Sequence, residues 1–264
     1  ETSSLIGDQG EALSVRLKWP YMKAWDVNPV SETSTTVTGR TYTSSGYVEV
    51  FKGAQRIGKM TAVQNGAYRV TIPKQVSGTN LTIKFYPHSI YEASTKQVVV
   101  KKTLPTLQTT PLASTDKIVT GKGKPGATVR AYVGTSPISK AVQIGKDGTF
   151  KLSITPQRGG RDVRVTMSQA GYIDRTVNLK VLYVFNTFKV STVKSSHTSI
   201  SGNGNPGAKV QAFVGSRAIS KSVTVNSKGT YRLTIPKQKA GTQIKMNMTK
   251  TGYKTQAKII KVVR

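Results

Sequence analysis

The sequence predicts an all-β chain of three tandem β-sandwich domains that together form an elongated rod. Three observations support this prediction. One unit of about 80 residues occurs three times, and turn signals cut each copy into short runs of alternating apolar and polar residues. No window of the chain shows the periodicity of an amphipathic helix.

The repeat is visible in glycines that return at nearly constant spacing. Gly39, Gly121 and Gly202 lie 82 and 81 residues apart in similar surroundings. We therefore predict domains at residues 24–103, 104–184 and 185–264, called repeats 1, 2 and 3 below. A glycine followed two positions later by an aromatic residue keeps the same period: Gly66 and Tyr68, Gly148 and Phe150, and Gly229 and Tyr231.

The elements follow from the same pattern, taken here in repeat 2. Predicted strands are KIVTG, ATVRAYV, KAVQI, TFKLSI, DVRVTMS and TVNLKVLYV, separated by KPG, GTSP, GKDG, PQRGGR and AGYID. Asn65-Gly66 and Asp147-Gly148 are hairpin signals. Gly171-Tyr172 and Gly252-Tyr253 are predicted to close a structural corner. Since the chain has no cysteine, each domain must be held by Val, Ile and Leu packed between two sheets.

The stretch GKGKPG, residues 121–126, suggests a phosphate-binding loop as an alternative. Such a loop leads into a helix, whereas here Val129, Ala131 and Val133 alternate with polar residues and predict a strand. Repeat 3 has asparagine in place of both lysines. We therefore interpret Pro125-Gly126 as turn residues.

Residues 1–23 fall outside the repeats. They show no secretory signal and no initiator methionine, and residues 11–21 alternate like a strand. Their distance from Gly39 matches that of the last strand of a preceding unit. We interpret residues 1–23 as a strand-like remnant or linker from an upstream module of a longer protein.

Residues 24–264 resemble the bacterial immunoglobulin-like domains found in tandem in surface and secreted proteins, mostly of Gram-positive bacteria. The resemblance rests on Gly-x-Gly-x-Pro-Gly-Ala-x-Val at 121–129 and 202–210, on the lead-in at 28–39, and on the Asp-Gly-Thr-Phe turn at 147–150. It implies a stalk, spacer or binding module without shared catalytic residues. Two features depart from the family. Many relatives are acidic, whereas this chain is strongly basic. In addition, the first copy has Ser44-Ser45-Gly46 instead of Pro-Gly.

Charge is the strongest functional signal. The chain carries +29, and residues 175–264 contain seventeen Lys and Arg but no Asp or Glu. Scattered lysines usually belong to a solvated surface, and lysine on an edge strand also prevents the exposed sheet edge from pairing with another chain. A single sign of charge at this level points instead to a polyanionic partner. The candidate polyanion-binding residues are Lys237, Lys239, Lys245, Lys250, Lys254, Lys258 and Lys261.

Phe51, Tyr132 and Phe213 occupy one repeated position. They are candidates for stacking against a glycan. The alternative is structural packing near a strand end or at a domain junction, since recurrence across repeats is also what a fold requires.

Catalysis is not expected, and neither is a metal or cofactor. The chain has eleven acidic residues and two histidines, and His88 and His197 lie near turns at positions that are not equivalent. Asp116, Asp147, Asp162 and Asp174 are spread one per predicted turn, where aspartate commonly bonds its own backbone. Calcium would need several carboxylates at one place.

These patterns predict a non-enzymatic, secreted or cell-wall-associated monomer that binds an anionic wall polymer such as teichoic or lipoteichoic acid. The alternatives are an adhesin stalk with a host protein or glycan as ligand, and a pure spacer. A nucleic-acid partner is not expected, because neither a recognition helix nor a basic aromatic platform is visible. No apolar stretch is long enough to predict a membrane span.

Overall fold

The computed structural model describes residues 5–6, 12–13, 24–88 and 91–264. Every regular element in those ranges is a β-strand, which confirms the all-β prediction. The strands form because apolar residues alternate with polar ones. In segment 67–71, Tyr68 and Val70 are buried while Ala67, Arg69 and Thr71 are exposed. One side of each such strand therefore joins a core and the other remains in water.

The chain divides into two compact units. Unit 1 runs up to Thr106 and also includes Ser168–Arg175, and unit 2 comprises Leu107–Met167 and Thr176–Arg264.

Repeat 1 lies in unit 1. Two short strands precede it, β1 (Leu5–Ile6) and β2 (Ala12–Leu13). Its own strands are β3 (Thr36–Arg40), β4 (Tyr47–Lys52), β5 (Gln55–Arg56), β6 (Thr61–Ala62), β7 (Ala67–Thr71), β8 (Asn80–Tyr86), β9 (Ser94–Val99) and β10 (Lys102–Thr103). β3 pairs with β7, and a second sheet has the order β5-β4-β8-β9, with β6 also paired to β4. The apolar sides of these two sheets share one core, which includes Val37, Val70, Val50, Leu81 and Phe85.

Repeat 2 has the same arrangement. Its strands are β11 (Gln108–Thr109), β12 (Ile118–Lys122), β13 (Thr128–Val133), β14 (Ser136–Pro137), β15 (Val142–Gln143), β16 (Thr149–Ser153), β17 (Asp162–Ser168), β18 (Tyr172–Ile173) and β19 (Arg175–Lys180). One sheet has the order β11-β12-β16, and the other has the order β14-β13-β17-β19, with β15 paired to β13. In unit 1, β18 pairs in parallel with β10.

Repeat 3 lies in unit 2. Its strands are β20 (Phe188–Val190), β21 (Ser199–Gly204), β22 (Lys209–Val214), β23 (Arg217–Ala218), β24 (Val223–Thr224), β25 (Thr230–Thr234), β26 (Gln243–Thr249) and β27 (Gln256–Lys261). The sheets are β20-β21-β25 and β23-β22-β26-β27, with β24 paired to β22. Ile200, Leu233, Ile244, Met246 and Met248 fill the space between them. The prediction of tandem β-sandwiches is thus confirmed.

The predicted strand at residues 11–21 is described only in part. Ala12–Leu13 pairs antiparallel with Leu5–Ile6. The remainder of that predicted strand lies outside the described residues.

Turn chemistry follows the sequence closely. The amide of Ala127 donates to the carbonyl of Lys124 (3.1 Å), and Gly126 has a φ of +80°. This closes a type II turn at Pro125-Gly126, which confirms the turn interpretation over the phosphate loop. At Asn65-Gly66 both residues have positive φ, as a two-residue hairpin turn of type I′ requires.

The anchor glycines owe their recurrence to an aromatic ring on the neighbouring strand. Gly202 lies opposite Tyr231 in the β21–β25 ladder, and the Tyr231 hydroxyl donates to the carbonyl of Lys189 on β20 (2.8 Å). The ring therefore lies across the glycine, where any side chain would collide with it. Gly39 with Tyr68, and Gly121 with Phe150, repeat this pairing.

Burial of Tyr231 makes repeat 3 sensitive to alkali. Burial raises the pKa of Tyr231 to about 12, above the value of about 10 for a free tyrosine. The unfolded chain therefore ionises first, so this stabilisation is complete below about pH 10 and is lost between about pH 10 and 12. We expect the free energy of unfolding to fall over this window, and Tyr231→Phe to remove that part of the slope. Urea unfolding at a series of pH values measures both. An identical slope in the two proteins would contradict the assignment.

Repeats 2 and 3 meet within unit 2 through an aromatic cluster. The Tyr253 ring stacks on Phe185, with ring centroids 4.8 Å apart, and lies 5.3 Å from Tyr183. The backbone amide of Tyr183 donates to Gly252 (2.9 Å), and the amide of Lys254 donates back to Tyr183 (2.8 Å). Gly252, with a φ of +80°, turns the chain as predicted, and the turn carries Tyr253 into this junction.

Candidate anion- and glycan-binding surfaces

The outer face of the larger sheet in repeat 3 carries two of the seven candidate lysines. Lys245 lies between Phe213 and Ile259 on the adjacent strands, and Lys261 lies opposite Gln243. Ile244 and Met246 point into the core, so Lys245 and Lys261 point outward, and both are exposed. We call Lys245 and Lys261 the outer pair.

Lys258 lies on the other side of the edge strand β27. It is opposite the buried Met246, and its Nζ lies 5.9 Å from the ring centroid of Phe188. Because successive side chains of a strand point to opposite faces, Lys258 and Lys261 cannot share a surface on this strand.

Loops hold the remaining four lysines. Lys237 and Lys239 are exposed between β25 and β26. Lys250 donates to the carbonyl of Pro206 (3.1 Å) and lies 5.3 Å from the Tyr253 ring centroid. Lys254 reaches Asp116 of repeat 2, with 3.5 Å between Nζ and Oδ1. The seven lysines are therefore divided among an outer sheet face, the reverse of an edge strand, and two loops.

The three repeated aromatics lie on the corresponding outer faces of repeats 1, 2 and 3. Phe51, Tyr132 and Phe213 are each the fifth residue of β4, β13 and β22 and are partly buried. Cations stand beside them. The Nζ of Lys84 lies 4.6 Å from the Phe51 ring centroid, and Lys245 is directly opposite Phe213.

Tyr132 has two such cations. The Cζ atoms of Arg164 and Arg130 lie 5.1 and 5.8 Å from its ring centroid. Sequence reasoning found the ring but missed both arginines. Arg130 lies two residues before Tyr132 on β13, so strand alternation places both on one face, and this was the available signal. Arg164 is brought beside the ring only by the pairing of β13 with β17.

Contacts within the described residues account for three of the four aspartates, with one correction. Asp147 accepts hydrogen bonds from the amide (3.0 Å) and hydroxyl (2.8 Å) of Thr149, which lower the pKa of its carboxyl group. Asp116 accepts one from the amide of Ala113 (2.8 Å). Asp162, which the spread of the acids assigned to a turn but the strand pattern assigned to the predicted strand DVRVTMS, begins β17 and pairs with Lys180 across the sheet at 2.7 Å. The alternation of DVRVTMS extends the strand to include it.

Groups that hold metals are not assembled in the described part of the chain. No cluster of three or more His, Asp or Glu occurs among residues 24–88 and 91–264. His197 accepts a hydrogen bond at Nδ1 from the amide of Lys194 (3.2 Å), so it closes its own turn. Among the residues that the structure describes, no helix is long and apolar enough to span a bilayer.

Comparison with known proteins finds sequence relatives of this chain. The sequence model of a family described as bacterial Ig domain matches residues 105–179 and 186–263. A cell wall-associated protease of Bacillus subtilis strain 168 is 30% identical over 161 residues, which are 60% of this chain. The chain corresponds to only 17% of the length of that relative.

The solved structures that match this chain have low sequence identity and low TM-scores. The BSP domain of a biofilm associated protein is 12% identical, with 90% of this chain and 65% of that chain covered and a TM-score of 0.29. An I-band fragment of titin is 16% identical, with 91% and 97% covered and a TM-score of 0.26.

Proposed function

The chain belongs to the bacterial Ig domain family, and on this basis we propose that it is a non-catalytic, cell-wall-associated segment of a larger extracellular protein. In this role it binds anionic wall polymers, of the teichoic or lipoteichoic acid type, and holds the rest of that protein at the surface. The observation that carries the proposal is the absence of any Asp or Glu from residues 175–264, which contain seventeen Lys and Arg.

The position of the charges supports this role. The outer pair is exposed on one sheet face, and no ion pair involves either lysine among the described residues. Lys209 is also exposed and lies on the same face of β22 as Phe213. A regular phosphodiester polymer offers one negative charge per unit, so several lysines on one surface can bind it together. Release of its counterions drives such binding and makes it weaken with salt.

The relative supports the location. A protein described as cell wall-associated is similar to 60% of this chain. Because the chain corresponds to a small share of that protein, proteolysis is not transferred to it.

Sedimentation with purified Gram-positive cell walls, native or stripped of teichoic acid, tests the proposal. We expect binding at about 50 mM salt that is lost by about 500 mM and that requires the teichoic acid. Reversing the outer pair, Lys245→Glu with Lys261→Glu, should weaken binding by at least about tenfold.

The matched control is Lys237→Glu with Lys258→Glu, which changes the net charge equally but leaves the outer face intact. A smaller loss in this control supports a defined face. Equal losses would mean that net charge alone attracts the chain to the wall. Binding that persists on stripped walls would refute the teichoic acid ligand, and absence of binding at low salt would favour an adhesin stalk or a spacer.

A further inference from the structure

A second cationic site lies outside the acid-free segment, on the outer sheet face of repeat 2. Arg130 and Tyr132 are neighbours on that face of β13, and Arg164 is exposed on β17. The Cζ atoms of the two guanidinium groups lie 5.8 and 5.1 Å from the centroid of the Tyr132 ring. Two permanent positive charges are therefore held beside one phenol.

Both arginines are held in place by backbone carbonyls. Arg130 donates from Nε to Ser139 (3.1 Å), and Arg164 donates from Nη2 to Gly134 (3.2 Å). A guanidinium has five N–H donors, so most donors of each side chain remain available for a ligand. Ordering the side chains in advance lowers the entropy lost when a ligand binds.

The surrounding charges do not neutralise these arginines. Asp162 lies two residues before Arg164 on the same face, but its carboxylate is already paired with Lys180 at 2.7 Å. Within the described ranges, no carboxylate lies within ion-pair distance of Arg130 or Arg164. Two positive charges beside one ring, without a paired acid, make this surface cationic, so an anion would be attracted to it.

The other two repeats show that the fold does not need these charges. Gln211 occupies the position of Arg130 in repeat 3 and donates from Nε2 to Ser220 (3.0 Å), which reproduces the bond from Arg130 to Ser139. In repeat 1 the same position is Glu49, which pairs with Arg56 at 2.9 Å. Thr82 and Lys245 are the counterparts of Arg164, each being the third residue of its strand.

We propose that Arg130, Tyr132 and Arg164 form a binding site for a phosphate or sulfate ester carried on a sugar or polyol. Guanidinium groups bind tetrahedral oxyanions through paired N–H donors, which suits two arginines that border the same ring. The Tyr132 hydroxyl supplies a further donor, and its ring edge gives an apolar contact for the carbon atoms of the ester. The site goes beyond the lysine surface of repeat 3 and does not depend on it.

Titration of the full chain, followed by the NMR shifts of backbone amides, tests the site. The probes are inorganic phosphate, a short poly(glycerol phosphate), a sulfated disaccharide, and succinate as a carboxylate control. We expect saturable shifts in β13 and β17 with the phosphate and sulfate probes, and much weaker shifts with succinate. Preference for poly(glycerol phosphate) would identify the wall polymer as the source of the ester, and preference for the sulfated disaccharide a sulfated glycan.

The variants are taken from the equivalent positions of the other repeats, so each should fold. Arg130→Gln and Arg164→Thr should each weaken binding about tenfold, and Tyr132→Phe should weaken it less. Reversal of the outer pair in repeat 3 should leave these shifts unchanged, which separates this site from the proposed wall-binding surface. The site is refuted if no probe gives saturable shifts up to about 20 mM, if the double arginine variant binds equally well, or if succinate binds as tightly as phosphate.

Discussion

Gly202→Ala is expected to destabilise repeat 3 by about 3 kcal/mol, a large effect for the addition of one methyl group. A Cβ at this position would lie 2.6 Å from Cζ of Tyr231 and would also collide with the carbonyl oxygen of Lys189. Relief requires the Tyr231 ring to move, which breaks its hydrogen bond to Lys189, or β20 to separate from β21. Urea unfolding gives the change in free energy.

Ser201→Ala is the matched control for this prediction. It removes a partly exposed hydroxyl from the adjacent residue of the same strand, and we expect a change within about 0.5 kcal/mol. Gly121→Ala should behave like Gly202→Ala, because the Phe150 ring lies across Gly121 in the same way. A loss below about 1 kcal/mol at Gly202 would show that the ring and strand yield easily.

Phe85→Ala should destabilise repeat 1 by about 3 to 5 kcal/mol. Phe85 is fully buried, and its ring centroid lies 5.6 Å from that of Trp25 and 5.3 Å from that of Tyr42. Truncation removes both aromatic contacts and leaves a cavity between the sheets. A domain of this size is stable by only about 5 to 15 kcal/mol, so much of its stability would be lost.

Trp25 makes this loss measurable in one repeat. The sequence has two tryptophans, Trp19 and Trp25, so in a Trp19→Phe background the fluorescence reports repeat 1 alone. Trp25 is buried and donates from Nε1 to Ser94 (2.8 Å), so unfolding should shift its emission. The control Val76→Ala, at a residue 73% exposed, should change stability by less than about 0.5 kcal/mol. An unchanged unfolding midpoint in Phe85→Ala would contradict the packing.

The proposed binding surfaces show where sequence reasoning reaches its limit. Alternation within one strand correctly assigns each side chain to a face of the sheet, and it places Arg130 and Tyr132 on the same face of β13. It cannot show which residue of another strand lies beside them. Arg164 and Lys245 come from strands about 30 residues further along the chain, and their position depends on strand register. Lys258 shows the reverse case, since it was grouped with Lys261 although alternation along β27 places the two side chains on opposite faces.

The recurring glycines illustrate the same distinction. Their period identified the repeat, and the aromatic residues identified the same period independently. That each aromatic ring lies across a glycine became visible only when β21 was paired with β25, and likewise in the other two repeats. The reason for their recurrence is thus a contact between strands.

By itself, the sequence determined the all-β class, the threefold repeat, the turns at Pro125-Gly126 and Asn65-Gly66, and the charge imbalance. All of these are local or periodic properties, because backbone geometry and the alternation of side chains act over a few residues. Only the tertiary structure decided which cations share a face, which acids neutralise them, and which rings they approach. Those relations join residues that are distant in the chain, and strand pairing and sheet packing bring them together.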